Sequence, residues 1–320
     1  MIVKQRIEPL SLQQLQVLER RLPPHHVKKE AVVDCLTKEA AGYKGEKSLD
    51  YPLSLLPPND YQIFHDLRLF EQMNYFQLDT LIVTRQFLLI LEVKNYYGTL
   101  IFDSNFHQMT RLADGKEEGF PDPLLQVNRQ KEQLKRWLSR HGYEDLPIQT
   151  FVVISQPRTI IKASAQVAER IIHSASLPLK IQQLEMKHPF PIIDFQHLSN
   201  LSHQLLNSHC PLRTDILKKF HISPSELITG VQCPSCSSLP MIRRQRKWFC
   251  PRCEHTSKDA HLSALKDYSL LIGKIISNRQ ARDFLQISSE HIAKKLLKST
   301  GLPYSGQTKA RKYHLQFDES

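Results

Sequence analysis

The chain has 320 residues, 43 Lys+Arg against 32 Asp+Glu, a formal net charge of +11, 41% hydrophobic residues and only 10 Gly. At about 100–200 residues per domain it is too long for one small module, and its composition excludes a collagen-like, wholly disordered or disulfide-dense chain. The longest apolar run, Phe87-Leu88-Leu89-Ile90-Leu91, is far short of the roughly 20 residues of a membrane span. Met1-Ile2-Val3-Lys4-Gln5-Arg6 lacks the apolar stretch and small-residue cleavage site of an export signal, so a cytoplasmic protein with no membrane partner is expected.

Residues 10–20 read as a short amphipathic helix stopped by Pro23-Pro24, and a second helical pattern begins near Lys28 with Ala31, Val32, Cys35, Leu36 and Ala40 at helical spacing. Gly42 and Gly45 fall in or beside it, where a missing side chain allows close packing on a sheet, and Glu46 follows directly. After Pro57-Pro58-Asn59-Asp60 the period becomes strand-like, with predicted strands at 61–69, 77–84, 87–94 and 98–102. The third is almost continuously apolar, as a central strand covered on both faces should be. Residues 124–138 form a predicted helix with Leu125, Val127, Leu134 and Leu138 inward, and Phe151-Val152-Val153-Ile154 is another buried strand. Helices are expected at 163–172 and 197–206. Helix, strands, helix, strand predicts an α/β (α+β) layer fold.

Both charge and cysteine usage change near residue 231. Residues 231–320 hold 16 Lys+Arg and 7 Asp+Glu, while the first 230 hold 27 and 25. A short basic module after a near-neutral larger one is the footprint of a polyanion-binding appendage. Cys233-Pro-Ser-Cys236 and Cys250-Pro-Arg-Cys253 are two CxxC knuckles separated by thirteen residues, a spacing that predicts structural, tetrahedral Zn²⁺ in a ribbon whose arms are 241–244 and 247–249. Cys35 and Cys210 stand alone and read as small buried hydrophobes. Residues 265–276 look helical. A helix at 278–284, a turn at 286–288, a second helix at 289–298 capped by Ser288 or Ser289, and a hairpin over 302–317 then form a winged-helix-like pattern. Its basic residues Lys294, Lys295, Lys298, Lys309, Arg311 and Lys312 are the expected nucleic-acid contacts.

The stretch that points to chemistry is Asp79, then twelve residues, then Glu92-Val93-Lys94. Side chains alternate along a strand, so Glu92 and Lys94 share a face and Val93 points away. A turn near Arg85-Gln86 brings Asp79 beside Glu92. Two carboxylates and an ammonium then meet at the end of an apolar sheet, and the acids suit a hard divalent cation that also takes phosphate oxygens.

Asp79…Glu92-Val93-Lys94 resembles the PD-(D/E)xK nuclease signature. With Gly45-Glu46, Phe76-Gln77-Leu78-Asp79, Asn95-Tyr96-Tyr97-Gly98 and Asp122-Pro123-Leu124-Leu125-Gln126-Val127-Asn128-Arg129, residues 37–155 look like the nuclease-related domain, NERD. The signature's proline before the strand acid is replaced here by Gln77-Leu78. The resemblance implies a restriction-endonuclease-like mixed sheet flanked by helices. It further implies that Asp79, Glu92, the Val93 carbonyl and Glu46 hold Mg²⁺ or Mn²⁺, that Lys94 orients the attacking water, and that Gln126 and Arg129 bind phosphate or steady Glu46.

The expected function is Mg²⁺-dependent hydrolysis of phosphodiester bonds in DNA by a bacterial protein, with RNA as the lesser alternative substrate and a homodimer as one way to cut both strands. The rival is a non-enzymatic DNA-binding regulator or adaptor that keeps the nuclease-like fold. The expected organisation is an N-terminal helical segment (1–36), the nuclease-like core (37–155), a helical extension and linker (156–230), the zinc ribbon (231–257) and the winged-helix-like module (258–320).

Overall fold

A computed structural model describes residues 1–57, 60–307 and 310–317. Pro58 and Asn59 of the expected turn, and Lys309 of the basic set, lie outside them. The chain divides into two compact units, one of Met1–Ile7 with Ala40–Leu212, the other of Glu8–Glu39 with the chain from Arg213 onward. Helix α1 (Leu10–Arg21) belongs to the second unit, and helix α2 (Lys29–Lys47) runs through the division at residue 39. No helix among the described residues is long and apolar enough to cross a membrane.

The first unit is built on a six-stranded mixed sheet. Its strands are β1 (Ile2–Lys4), β2 (Gln62–Glu71), β3 (Asn74–Val83), β4 (Leu88–Lys94), β8 (Ile148–Ile154) and β10 (Ile171–His173), adjacent in that order. Pairs β2/β3 and β3/β4 are antiparallel, whereas β1/β2, β4/β8 and β8/β10 are parallel. The apolar run Leu88–Leu91 makes β4 the interior strand that its sequence predicts, buried throughout until Lys94. A smaller sheet contains β5 (Thr99–Asp103), β6 (Gln108–Ala113), β7 (Lys116–Pro121) and β9 (Ile160–Lys162) in the order β7-β6-β5-β9. Helix α3 (Asp50–Ser54) follows α2, and α4 (Pro123–Ser139) begins where the Asp122 carboxylate accepts the Leu124 N–H at 2.8 Å. One face of the large sheet packs Leu124, Val127, Leu134 and Trp137 of α4. The other packs Leu49 and Leu53 with Leu177, Ile181 and Leu184 of α6 (Leu177–Lys187), numbered after the one-turn α5 (Ala165–Ala168). Helix α7 (Phe195–Asn207) adds Leu198, Leu201 and Leu205 to the first face.

Two expectations for this unit change. The helix expected at 163–172 is only α5, because Ile171 and Ile172 pair in register with Val152 and Val153 of β8 and their β-branched side chains fill the two sheet faces. Leu125 is exposed and Leu124 takes the inward place on α4.

The second unit carries α1, α8 (Ile216–Phe220), a three-stranded sheet of β11 (Ile242–Arg244), β12 (Lys247–Phe249) and β13 (Thr256–Ser257), and α9 (His261–Leu271). Beyond lie β14 (Ile275–Ser277), α10 (Asn278–Leu285), α11 (Glu290–Ser299), β15 (Tyr304–Ser305) and β16 (Lys312–His314), the three strands in the order β14-β16-β15. The helix expected at 265–276 therefore stops at Leu271, since Ile275 and Ile276 pair with His314 and Tyr313 instead. Ser277 caps α10 reciprocally with Gln280, and the Ser289 hydroxyl accepts the Ile292 N–H at the start of α11.

The polar core of this unit is an ion pair. Arg21 is fully buried, its Nη2 is 2.7 Å from Asp267 Oδ2, and its Nη1 donates to the Ile228 carbonyl at 2.9 Å. Arg20 also binds Asp267, which is 2% exposed. Arg21→Met leaves that carboxylate buried with one partly exposed partner, so thermal or urea unfolding of this unit should lose about 3–5 kcal/mol. An unchanged midpoint would show that the pair contributes nothing net.

Candidate active site

The site lies where β3 and β4 part. Their ladder ends at Thr80 opposite Leu91, leaving Asp79 and the Glu92-Val93-Lys94 run just beyond it. On the other side of β3, His65 pairs with Thr80 and Leu67 with Leu78, leaving Asp66 opposite Asp79 without a ladder pair. Asp66 has φ +51°, a left-handed conformation that Asp tolerates better than most residues. The strands change phase here: Ile63 packs on one sheet face and Leu67 on the other, as do Ile82 and Leu78 on β3. That shift opens the ladder and turns several polar side chains towards one place.

Glu92 is 2% exposed yet well satisfied. Its Oε1 accepts from Lys94 Nζ and from Gln126 Nε2, both at 2.7 Å, and its Oε2 accepts from Gln130 Nε2 at 2.8 Å. Gln126 Oε1 accepts from Lys94 Nζ at 3.0 Å, closing a triangle in the one amide orientation that matches every donor to an acceptor. Asp79 is half-buried, and its Oδ2 accepts the Val93 N–H at 2.9 Å. Burial lowers the Lys94 pKa, but the Glu92 and Asp79 carboxylates outweigh it and the net shift is upward. Lys94 is therefore a fixed ammonium at neutral pH, a donor and a point charge rather than a base.

Glu46 comes from α2. Gly45 lets that helix lie against the end of β4: a Cβ there would sit 2.5 Å from the Asn95 Cβ, and Asn95 donates to the Ala41 carbonyl at 2.6 Å. Removal from water pushes the Glu46 carboxyl up to about 7, with Arg6 opposing the shift and Asp66 and Glu92 adding to it. Asp79 is held well above the ordinary carboxylate range by burial and by the Glu92 and Glu46 charges. Arg6 Nη1 donates to Glu46 Oε2 at 2.9 Å, and its other nitrogens reach Asp50 at 3.1 Å and His65 Nδ1 at 2.8 Å. Burial, then Arg6 and Lys4, lower the His65 pKa to about 3, so the ring is neutral and accepts from Arg6.

The structure thus brings Glu46, Asp79, Glu92, Lys94 and Gln126 to one end of the sheet, with Val93 on the rim. Arg129 is exposed and lies on the wall of an adjoining groove. Glu46 is steadied by Arg6, not by Gln126 or Arg129, and Gln126 binds Glu92 together with Gln130, four residues on and so on the same face of α4. The i,i+4 spacing was a readable signal for Gln130. No local pattern links Arg6 to Glu46 or Asp66 to Asp79. The donor set suits a hard divalent cation: carboxylates gathered at one end of a sheet repel each other, and a bound positive charge lets them ionise together. Glu46, Asp79 and Glu92 nevertheless do not close to within 4.8 Å as a set of three.

Among the described residues, such a group is formed by Cys233, Cys236, Cys250 and Cys253, whose sulfurs all lie within 4.8 Å of one another. Two sulfur pairs, Cys233–Cys253 and Cys236–Cys250, are 3.6 and 3.5 Å apart and unbonded. A tetrahedron of Zn–S bonds of about 2.3 Å has edges of about 3.8 Å, so the spacing suits zinc. Backbone N–H groups of Cys253 and Arg252 pull the Cys250 thiol down to about 6, while Cys236, against the pull of the Ser238 N–H, is pushed up to about 12 by its neighbouring thiols and burial, so without metal the sulfurs share protons. Elsewhere in this unit Lys294, Lys295 and Lys298 are exposed on α11, opposite its buried Ala293, Leu296 and Leu297. Lys312 is exposed on β16, and Arg311 stacks on Tyr304 at 4.2 Å.

Compared with known families, residues 41–155 match the model of NERD, the nuclease-related domain. The matched segment contains Glu46, Asp79, Glu92, Lys94, Gln126 and Gln130 and covers under half of the chain. Neither the curated proteins nor the solved structures include a significant match.

Proposed function

We propose that the nuclease-related segment is a metal-dependent phosphodiesterase acting on DNA, with the basic second unit binding the nucleic acid. The observation that carries this reading is the convergence of Asp79, Glu92 and Lys94, three ionisable groups at the end of an apolar sheet, with Glu46 arriving from α2. A divalent ion bound there supplies a water of lowered pKa and screens the negative phosphate. Asp79 and Glu92 would hold it, with Glu46 and the Val93 carbonyl in support. Lys94 would place its ammonium beside the oxygen on which charge builds. Gln126 and Gln130 fix the Glu92 carboxylate, and Arg6 fixes Glu46, so the acids are oriented before substrate arrives. In the second unit the four cysteines would hold structural Zn²⁺. The β14-α10-α11-β15-β16 module would act as a winged helix whose Lys294, Lys295, Lys298, Arg311 and Lys312 meet phosphates.

One observation favours a second reading. Both Glu92 oxygens already have protein partners, as in a purely structural network, and that suits a DNA-binding protein that no longer cuts. Supercoiled plasmid with Mg²⁺, Mn²⁺ or EDTA separates the two: nicking with either metal and none with EDTA supports the enzyme, and intact plasmid with tight binding supports the adaptor.

The raised carboxyl pKa values set a pH dependence. Folded-state acids that titrate above their unfolded values stabilise the metal-free protein fully below the ordinary carboxylate range, and this is lost as pH rises through the folded value, about 7 for Glu46. Other groups titrate too, so the difference between wild type and Glu46→Gln isolates the effect. The variant should gain stability relative to wild type between pH 5 and pH 8 in EDTA, and Mg²⁺ should restore wild type at pH 8 by calorimetry. A difference that is flat with pH would count against a strained carboxylate cluster.

A further inference from the structure

A groove of about 840 Å³ runs between the outer half of β3 and the exposed side of α4. Tyr75, Gln77, Gln126, Arg129, Gln130 and Arg136 are in its wall, so two of its side chains, Gln126 and Gln130, are those that bind Glu92. The groove therefore adjoins the candidate active site, with Glu92 behind these two glutamines rather than in the wall. At its far end is Tyr75, 47% exposed, its ring centroid 4.9 Å from that of its cross-strand partner Phe70, which lies outside the wall. Arg68, which is not part of the wall, lies 3.8 Å over the Tyr75 ring and is pinned by the Cys210 carbonyl at 3.1 Å. Gln130 is 6% exposed and spends its N–H groups on Glu92 and the Gln77 carbonyl, while its Oε1 is buried with no donor.

We propose that this groove receives an unpaired nucleic-acid strand and leads it to Glu92, with a base on Tyr75 and a phosphate on Arg129. The proposal rests on the phosphodiesterase reading and adds the form of substrate. A base can stack on an exposed aromatic ring only when its own face is bare, which holds for a single strand or a frayed end and not for the inside of a duplex. The wall's charge agrees. Arg129 is exposed, and Arg136 stands two helical turns on, about 10 Å along the axis, already shared with the Glu71 carboxylate at 3.6 Å. With Glu132 between them the groove offers separate phosphate contacts rather than the continuous basic track that a duplex backbone needs. The unpaired Gln130 oxygen beside them suits an N–H donor such as a base amine.

The test is fluorescence anisotropy with the full chain in EDTA, using a labelled twelve-nucleotide oligo-dT and a blunt duplex of mixed sequence. Tyr75→Ala should weaken single-strand binding about 5- to 150-fold and leave duplex binding unchanged, Arg129→Ala should weaken it to a lesser degree, and Tyr75→Phe should match wild type. Equal binding by Tyr75→Ala and wild type, or equal losses for single strand and duplex, would overturn the proposal. This outcome is independent of cleavage. A protein that cuts DNA normally with Tyr75→Ala unaffected keeps the enzyme and loses the groove, and one that never cuts but shows the Tyr75 effect keeps the groove and loses the enzyme.

Discussion

Lys94→Ala should lower Mg²⁺-dependent DNA cleavage by about 10²- to 10³-fold, the usual loss when one donor to a developing oxyanion is removed. DNA affinity should change by less than about tenfold, because most phosphate contacts are assigned to the second unit. The ammonium sits 2.7 Å from Glu92 and its pKa is raised, so it is charged across the working pH range and its deletion removes a charge rather than a titrating base. Cleavage by the variant should therefore keep the wild-type pH profile at a lower level. Glu92→Gln should be the more severe change, since it removes charge from the candidate metal ligand while keeping its shape. It also places an amide N–H₂ group among the Lys94, Gln126 and Gln130 donors, and such a clash costs about 1–3 kcal/mol of stability. A melting curve beside the single-turnover rate separates the two effects. Full activity in both variants would remove Glu92 and Lys94 from the chemistry.

The second large effect concerns the cysteines. Structural zinc contributes about 10–16 kcal/mol of apparent binding free energy to small domains, more than most folded domains have in total. Cys233 and Cys250 belong to the same buried cluster as Trp248, Tyr268 and Phe284, so loss of metal should spread beyond the knuckles. Trp248 reports this directly: it is fully buried and its indole N–H donates to His261 at 3.3 Å. Purified protein should carry one zinc per chain by mass spectrometry. Cys250→Ser should lose it, with a red shift of Trp248 fluorescence measured in a Trp137→Phe background. Metal-free protein in which Trp248 keeps its native emission would show that the knuckles hold without zinc.

How far the sequence reveals the fold depends on where each element finds its partners. Strands β2 to β5 and helix α4 are legible because the loose alternation around Ile63, Leu67 and Leu69, the apolar run of β4 and the Asp122-Pro123 start of α4 are local signals. Strands β6 and β7 are not, since Lys116-Glu117-Glu118-Gly119 is polar and exposed and its pairing with β6 gives no periodicity to read. Ile171-Ile172 and Ile275-Ile276 look like helix ends, but each pairs with a strand far away in sequence. The site shows the same division. Glu92 and Lys94 follow from strand spacing and Gln126 from the family resemblance, whereas Arg6, Asp66 and the orientation of Glu46 depend on segments joined only by the folded sheet. Gln130 is within reach of helical spacing alone, whereas Arg129 rests on the family resemblance.

The most direct measurement is an anomalous difference map from crystals grown with Mn²⁺. The account predicts a peak about 2.1 Å from oxygens of both Asp79 and Glu92, with Glu92 released from at least one of its present partners to make room. A map with no ion at that place under millimolar Mn²⁺, and Glu92 still held by Lys94, Gln126 and Gln130 alone, would contradict it.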